Sequence, residues 1–308
     1  MLSRALRLSL ALEIAIYVSL ALYAFDASPS TAALVALAGV LALRAALIGL
    51  SYGYAWAHRS PASHLSVLSL RQALVMVLGE YAAFVVTFVF VLPFARWWMS
   101  ADHLPPQSGV GARQSGTNQR PPLLLIHGYG CSRAVWWWLR PRLQAAGWTV
   151  ATINLEPVYA SIDDYVDPLA RRIDGVLAET GAERLILVGH SMGGLVARAY
   201  LRRFGGTRVA RLVTLGTPHQ GSALAHIGLG ENARQMRPGS TWLQAAADPA
   251  AMVDTVAIYS PHDNFVMPHA NLLLPGALTQ AIDGIGHLAM LYSPRVARAL
   301  LAALEGKR

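Results

Sequence analysis

The chain has 308 residues, of which 54% are hydrophobic and only 14% charged, with a formal net charge of +8. Charge is scarce before about residue 95 and ordinary after about residue 120, so two different solvents are implied. The basic excess is spread as about +3 before residue 99 and about +4 after residue 120, too thin anywhere to argue for nucleic acid, and the single cysteine, Cys131, excludes an internal disulfide while leaving the redox compartment open.

Three long apolar segments come first, at roughly 6–25, 31–50 and 73–94. Each is near the ~20 residues with which a helix crosses ~30 Å of hydrocarbon, which predicts a membrane domain over 1–98 with three transmembrane helices. The first segment is too long for the apolar region of a cleaved leader. Arg4 and Arg7 precede the first span, no arginine separates the first two, and Arg59 and Arg71 lie between the second and third. That distribution puts the amino terminus in the cytoplasm and everything after the third span outside it, which in a double-membrane bacterium means an inner-membrane protein with a periplasmic catalytic unit. Each span carries one ionisable residue, Glu13, Arg44 and Glu80, about six to eight residues from its cytoplasmic end, on the order of 10 Å deep. Unpaired charges at that depth are costly, so a Glu-Arg-Glu cluster pinning the three helices is expected; a proton or ion path is the alternative.

Residues 99–120, rich in Pro, Gly, Ser and Gln and without periodicity, read as a flexible linker. From 121 to 308 short β-like runs alternate with helical stretches. The runs lie at 123–127, 149–155, 185–189, 209–215, 253–259 and, more weakly, 278–282; the helices lie at 133–146, 163–179, 192–204 and 294–304. Such alternation predicts parallel βαβ units in a doubly wound, mainly parallel α/β sheet, and uninterrupted apolar runs such as Leu123-Leu124-Leu125-Ile126 fit a sheet covered on both faces. The interval 222–251 breaks the rhythm and suits an inserted lid.

Gly189-His190-Ser191-Met192-Gly193 directly follows the apolar run Leu185-Ile186-Leu187-Val188. Glycines two residues before and after a serine allow a sharp strand-to-helix turn that leaves the hydroxyl exposed, so Ser191 is the candidate nucleophile. A serine hydroxyl needs a base to take its proton and a carboxylate to fix the tautomer of that base. Asp263 lies just past the 253–259 run and His287 just past the last one. Asp254 and Asp283 are rivals for the acid, and His262, His269, His226 and His219 for the base. Backbone N–H groups must also face the oxyanion; His127-Gly128-Tyr129-Gly130 supplies a suitable turn, with Tyr129 and Met192 as the expected donors. Trp136-Trp137-Trp138 follows that turn, and at least one of these indoles is expected to face solvent or membrane. Arg198, Arg202, Arg203, Arg208 and Arg211 are expected to form a solvated face.

On these motifs the chain from 121 to 308 resembles the α/β-hydrolases of the bacterial triacylglycerol lipase group. The resemblance rests on Leu-Ile-His-Gly-Tyr-Gly at 125–130, Gly-His-Ser-Met-Gly at 189–193, Thr-Leu-Gly-Thr-Pro-His-Gln-Gly-Ser at 214–222, Pro-Gly-Ser at 238–240, and the surroundings of Asp263 and His287. It implies an α/β-hydrolase fold with a lid, and hydrolysis of carboxylic esters through an acyl-enzyme, with Ser191 attacking, His287 shuttling the proton and Asp263 holding His287. His219 is structural in that family. Some relatives bind calcium through a carboxylate just after the catalytic histidine; here His287 is followed by Leu-Ala-Met-Leu-Tyr-Ser, so no calcium, no other metal and no cofactor is expected. The expected partners are a lipid or other long-acyl ester and the bilayer, with the oligomeric state open. Acyl transfer, or amide or thioester cleavage by the same triad, is the competing reading, and a non-catalytic membrane interaction module is a remote one.

Overall fold

The computed structural model describes residues 1–59, 66–106, 120–246 and 253–306. Three long helices open the chain: α1 (Leu2–Ala24), α2 (Pro29–Ala57) and α3 (Leu70–Val91), each long and apolar enough to cross a membrane. Ser28 caps α2, its Oγ accepting from Thr31 N, with Pro29 at the first helical position. Ser69 and Gln72 close a capping box at the start of α3. A short α4 (Ala95–Trp98) follows.

The six strands form one sheet in the order β2-β1-β3-β4-β5-β6. They are β1 (Leu123–Ile126), β2 (Val150–Ile153), β3 (Leu185–His190), β4 (Val209–Leu215), β5 (Asp254–Tyr259) and β6 (Leu278–Ala281), and every pairing is parallel. Between them run α5 (Leu139–Ala145), α6 (Val166–Thr180) and α7 (Met192–Phe204), and α10 (Pro294–Leu304) closes the chain. Two apolar layers cover the sheet. One joins Leu123, Leu125 and Val188 to α5 and α10; the other joins Leu124, Ile126 and Leu187 to α6 and α7. The expected α/β architecture is present, and the order of the strands reverses between β1 and β3, which is where such sheets place their sites. The interval expected as a lid contains α8 (Gly230–Gln235) and α9 (Thr241–Ala245) between β4 and β5, and its last part, 247–251, lies outside the described residues.

Several expectations are corrected. Arg44 pairs with Glu13, but Glu80 does not join them; its carboxylate turns into the sheet-bearing unit. The early part of the 99–120 segment is docked: Asp102 accepts from Thr152 N at 2.7 Å and pairs with Arg133, Arg140 and Arg172. Residues 107–119 of it lie outside the described residues. The Met1 ammonium stands 3.7 Å from Glu156 Oε1, and α3 lies along the sheet-bearing unit, with Thr87 Oγ1 2.7 Å from Tyr292 Oη and Leu92 buried in the core. Trp136 is fully buried, and neither Trp137 nor Trp138 is exposed, because Trp98 of α4 covers Trp137 and Arg142 lies over Trp138. Arg198 is buried too, its guanidinium donating to the carbonyls of His219 and Ala246.

Candidate active site

Ser191 sits between the last residue of β3 and the first of α7 at φ 55° and ψ −128°, in the positive-φ region that side chains other than glycine's avoid. Holding a serine there costs on the order of 1–3 kcal/mol and needs surroundings that leave no alternative. They are present: Ser191 N donates to Leu215 O at 2.8 Å, and Ser191 O accepts from Gly194 N at 3.0 Å and from Thr217 Oγ1 at 2.9 Å. The flanking glycines are steric necessities. A Cβ on Gly193 would lie 2.2 Å from Ile126 O, and one on Gly189 would lie 2.5 Å from Gly194 N. The turn therefore exists because backbone meets backbone with no side chain between.

The loop after β1 closes over the serine. A Cβ on Gly128 would lie 2.8 Å from Ser191 Cβ, so only glycine permits this approach. His127 fixes the loop: its Nδ1–H donates to Gly128 O at 2.9 Å, while Nε2 accepts from Leu155 N at 2.9 Å. Burial lowers its pKa to about 4, so the ring is neutral and able to accept and donate at once. Tyr129, next in the loop, borders the same cavity as Ser191, and Met192 is the first residue of α7, where an amide has no intrahelical acceptor. The Tyr129 hydroxyl donates to Leu229 O and accepts from Leu229 N, both at 2.8 Å, which ties the loop to the inserted segment.

Of the candidate acids and bases, Asp263 and His287 meet. Asp263 Oδ2 accepts from His287 Nδ1 at 2.7 Å, and Oδ1 accepts from Phe265 N at 2.7 Å and Val266 N at 2.9 Å. Burial favours the neutral acid, but His287 and those two amides outweigh it, and the Asp263 pKa is lowered. For His287, burial disfavours the imidazolium, and the Asp263 carboxylate overcomes that and raises its pKa. His190 Nε2–H donates to His287 O at 3.2 Å, a contact the sequence does not announce. Four of the six rivals are engaged elsewhere. Asp254 pairs with Arg211, and His262 binds Ser66 O and Gly284 N. His269 donates to Asp263 O, and His219 is buried between Thr214 Oγ1 and Arg198, as a structural residue would be.

Ser191 and His287 face a cavity of about 380 Å³ whose walls are mostly apolar. Leu224, Met236 and Val266 line it from the sheet-bearing unit, and Leu2, Leu6 and Phe88 line it from α1 and α3. Among the described residues no group of three His, Cys, Asp or Glu side chains is placed to hold a metal.

Residues that the sequence reading missed cluster behind His287. Glu80 accepts from Leu288 N at 3.0 Å and from Ala289 N at 2.8 Å. Asn264 Oδ1 accepts from His287 N at 3.0 Å, and Asn264 Nδ2 donates to Ser51 Oγ at 2.8 Å. The signal available in the sequence was a carboxylate inside an apolar span, read there as a helix pin.

Residues 121–265, just under half of the chain, match the family model described as the alpha/beta hydrolase fold. Triacylglycerol lipases of Pseudarthrobacter phenanthrenivorans and Burkholderia plantarii are each 35% identical over 116 residues. The match covers 34% of this chain and 35% and 32% of theirs, so the chain spans about a third of the length of those relatives. In structure, the mature form of the lipase BlEst2 of Bacillus licheniformis superposes with a TM-score of 0.55 at 18% identity, covering 62% of this chain and 94% of that one, a likeness of fold. Parallel sheet, serine turn between β3 and α7, and family match agree: the unit that begins at residue 121 is an α/β-hydrolase fold, similar in sequence to triacylglycerol lipases and esterases.

Proposed function

We propose that this protein is a membrane-associated serine carboxylic-ester hydrolase acting on lipid or other long-acyl esters. The observation that carries this reading is the apolar cavity at Ser191, whose wall is shared between the hydrolase unit and helices apolar enough to cross a bilayer. A long acyl chain gains by burial there, at about 25 cal/mol per Å² of apolar surface removed from water.

In this reading Ser191 Oγ attacks the ester carbonyl while His287 Nε2 takes its proton, and Asp263 stabilises the imidazolium that forms. The oxyanion is received by the amides of Tyr129 and Met192, each donor being worth roughly 3 kcal/mol in comparable sites. His287 then protonates the departing alkoxide, leaving an acyl-Ser191 ester. Water, deprotonated by His287, attacks that ester, releases the carboxylic acid and restores the serine. Placement at a bilayer raises the local concentration of such substrates.

The test is hydrolysis of an acyl-length series by the full-length protein in detergent, with Ser191→Ala as blank. Turnover that rises toward long chains and vanishes in the blank supports the proposal. A preference for short chains removes the lipid from it, and absence of Ser191-dependent turnover on any ester sinks it.

A further inference from the structure

Glu80 poses a problem that the hydrolase reading alone does not answer. It sits within an apolar helix, has no solvent exposure, and is not paired with Arg44, which is engaged by Glu13. A carboxylate in such a place is costly unless its oxygens are satisfied. Both are satisfied at one spot: Oε1 accepts from Leu288 N and Oε2 from Ala289 N, the two amides that follow His287. The residue before His287 is shaped for this approach. A Cβ on Gly286 would lie 2.5 Å from Glu80 Oε2 and 2.7 Å from Tyr52 Oη. The amide of His287 itself is held by Asn264, which donates to Ser51 of α2, and Ser51 in turn donates to Ile48 O at 2.8 Å. Three consecutive amides, 287 to 289, are thus fixed by a chain of contacts that leads into α2 and α3. The loop itself has no regular structure at His287, lying after the edge strand β6 and before a single 3₁₀ turn at Ala289–Tyr292.

We propose that Glu80 is a positioning residue for catalysis, clamping the 287–289 backbone so that His287 is aimed at Ser191, and that the apolar helices are therefore part of the catalytic device and not only its tether. This rests on the reading of Ser191, His287 and Asp263 as a hydrolytic triad. The proton carrier of a triad must be held within a fraction of an ångström, and a displacement of about 1 Å costs on the order of 100-fold in rate. Asp263 fixes only the Nδ1 edge of the ring; the backbone that carries the ring needs its own support, and Glu80 supplies it. His287 is faced by Asp263 from the loop after β5, by His190 from β3, and by Glu80 with the nearby Tyr52 hydroxyl from α3 and α2. Among these, Asp263 favours the imidazolium.

The experiment is the rate of Ser191 labelling by a fluorophosphonate, measured against pH on the full-length protein in detergent, for the parent, Glu80→Ala and Glu80→Gln. Arg44→Leu serves as a control that disturbs the helix bundle without touching the His287 loop. Labelling reports the nucleophile and its base without reference to a natural substrate. Glu80→Ala is expected to label about 10- to 100-fold more slowly than the parent, with Arg44→Leu close to the parent. Glu80→Gln, which keeps one amide acceptor, is expected to recover part of the rate. Labelling of Glu80→Ala at the parental rate overturns the proposal while leaving the triad intact, as does a loss shared equally with Arg44→Leu, which would mark a general defect of the bundle. If the Glu80→Ala protein does not fold, labelling of Glu80→Gln at the parental rate overturns it. A parent that does not label at Ser191 overturns the triad and this proposal with it.

Discussion

The turn that carries Ser191 and the loop that carries His287 are built on opposite principles. The Ser191 turn is held by its own neighbourhood, with Leu215, Thr217 and Gly194 as partners and two glycines that let α7 approach the backbones of β1 and β3. The His287 loop follows the edge strand β6, whose residues are all exposed, and its amides are satisfied from outside the α/β-hydrolase unit, through Glu80 and, by way of Asn264, Ser51. A strained element inside a packed sheet can carry its own geometry. One at the sheet's edge takes its geometry from whatever packs against it, which here is a pair of apolar helices.

The largest effects are expected inside the hydrolase unit and set the scale for the rest. Asp263→Asn leaves the shape of the site but removes the charge that favours the productive His287 tautomer, and kcat on a good ester substrate is expected to fall by on the order of 10⁴. A fall of less than about tenfold would hand the acid role to another residue. The loss at Glu80, about 10- to 100-fold, should lie between this and a peripheral change, and a loss equal to that of Asp263→Asn would mean that the two loops do not differ in the way described.

Acid pH sharpens the same contrast. His287 must be neutral to accept the serine proton, and its pKa is raised above the ordinary 6.5, so kcat/KM is expected to fall along an acid limb that lies above pH 6.5. A limb below that value would show that the Asp263 contact does not govern the ring in solution. The smallest effect is expected at the cavity wall. Leu6→Trp narrows the cavity from the α1 side and should shift the preferred acyl length toward shorter chains by a few-fold in kcat/KM with little change for short esters. An unchanged chain-length profile would place the acyl group elsewhere in the cavity.

The α/β-hydrolase unit is legible because its signals are local. Uninterrupted apolar runs mark strands covered on both faces, and the helix over Met192–Phe204 and the one over Pro294–Leu304 have the bounds their periodicity implies. Asp263 and His287 come together because each follows a strand and a parallel sheet puts all such loops at one end. Trp137 was harder to place. An indole between two others invites an exposed reading, yet the partner that covers it, Trp98, lies in a short helix before the linker, and nothing in either segment announces the meeting. Asp102 is similar: in a stretch rich in loop-forming residues, it is buried by three arginines drawn from three later parts of the chain.

By itself, the sequence determined the three apolar helices, the parallel α/β unit and the serine turn, because helix length, strand periodicity and glycine clearance are properties of neighbours along the chain. Only the tertiary structure decided what the charges in the apolar helices are for. Glu13, Arg44 and Glu80 stand at similar depth in the sequence, so charge pairing among them was the natural expectation. A buried carboxylate, however, is satisfied by any set of amide donors as well as by a cation, and the donors it meets, at Leu288 and Ala289, lie 208 and 209 residues further along the chain. That choice is made by the way α3 packs along the hydrolase unit, and it ties the apolar helices to the loop that carries His287.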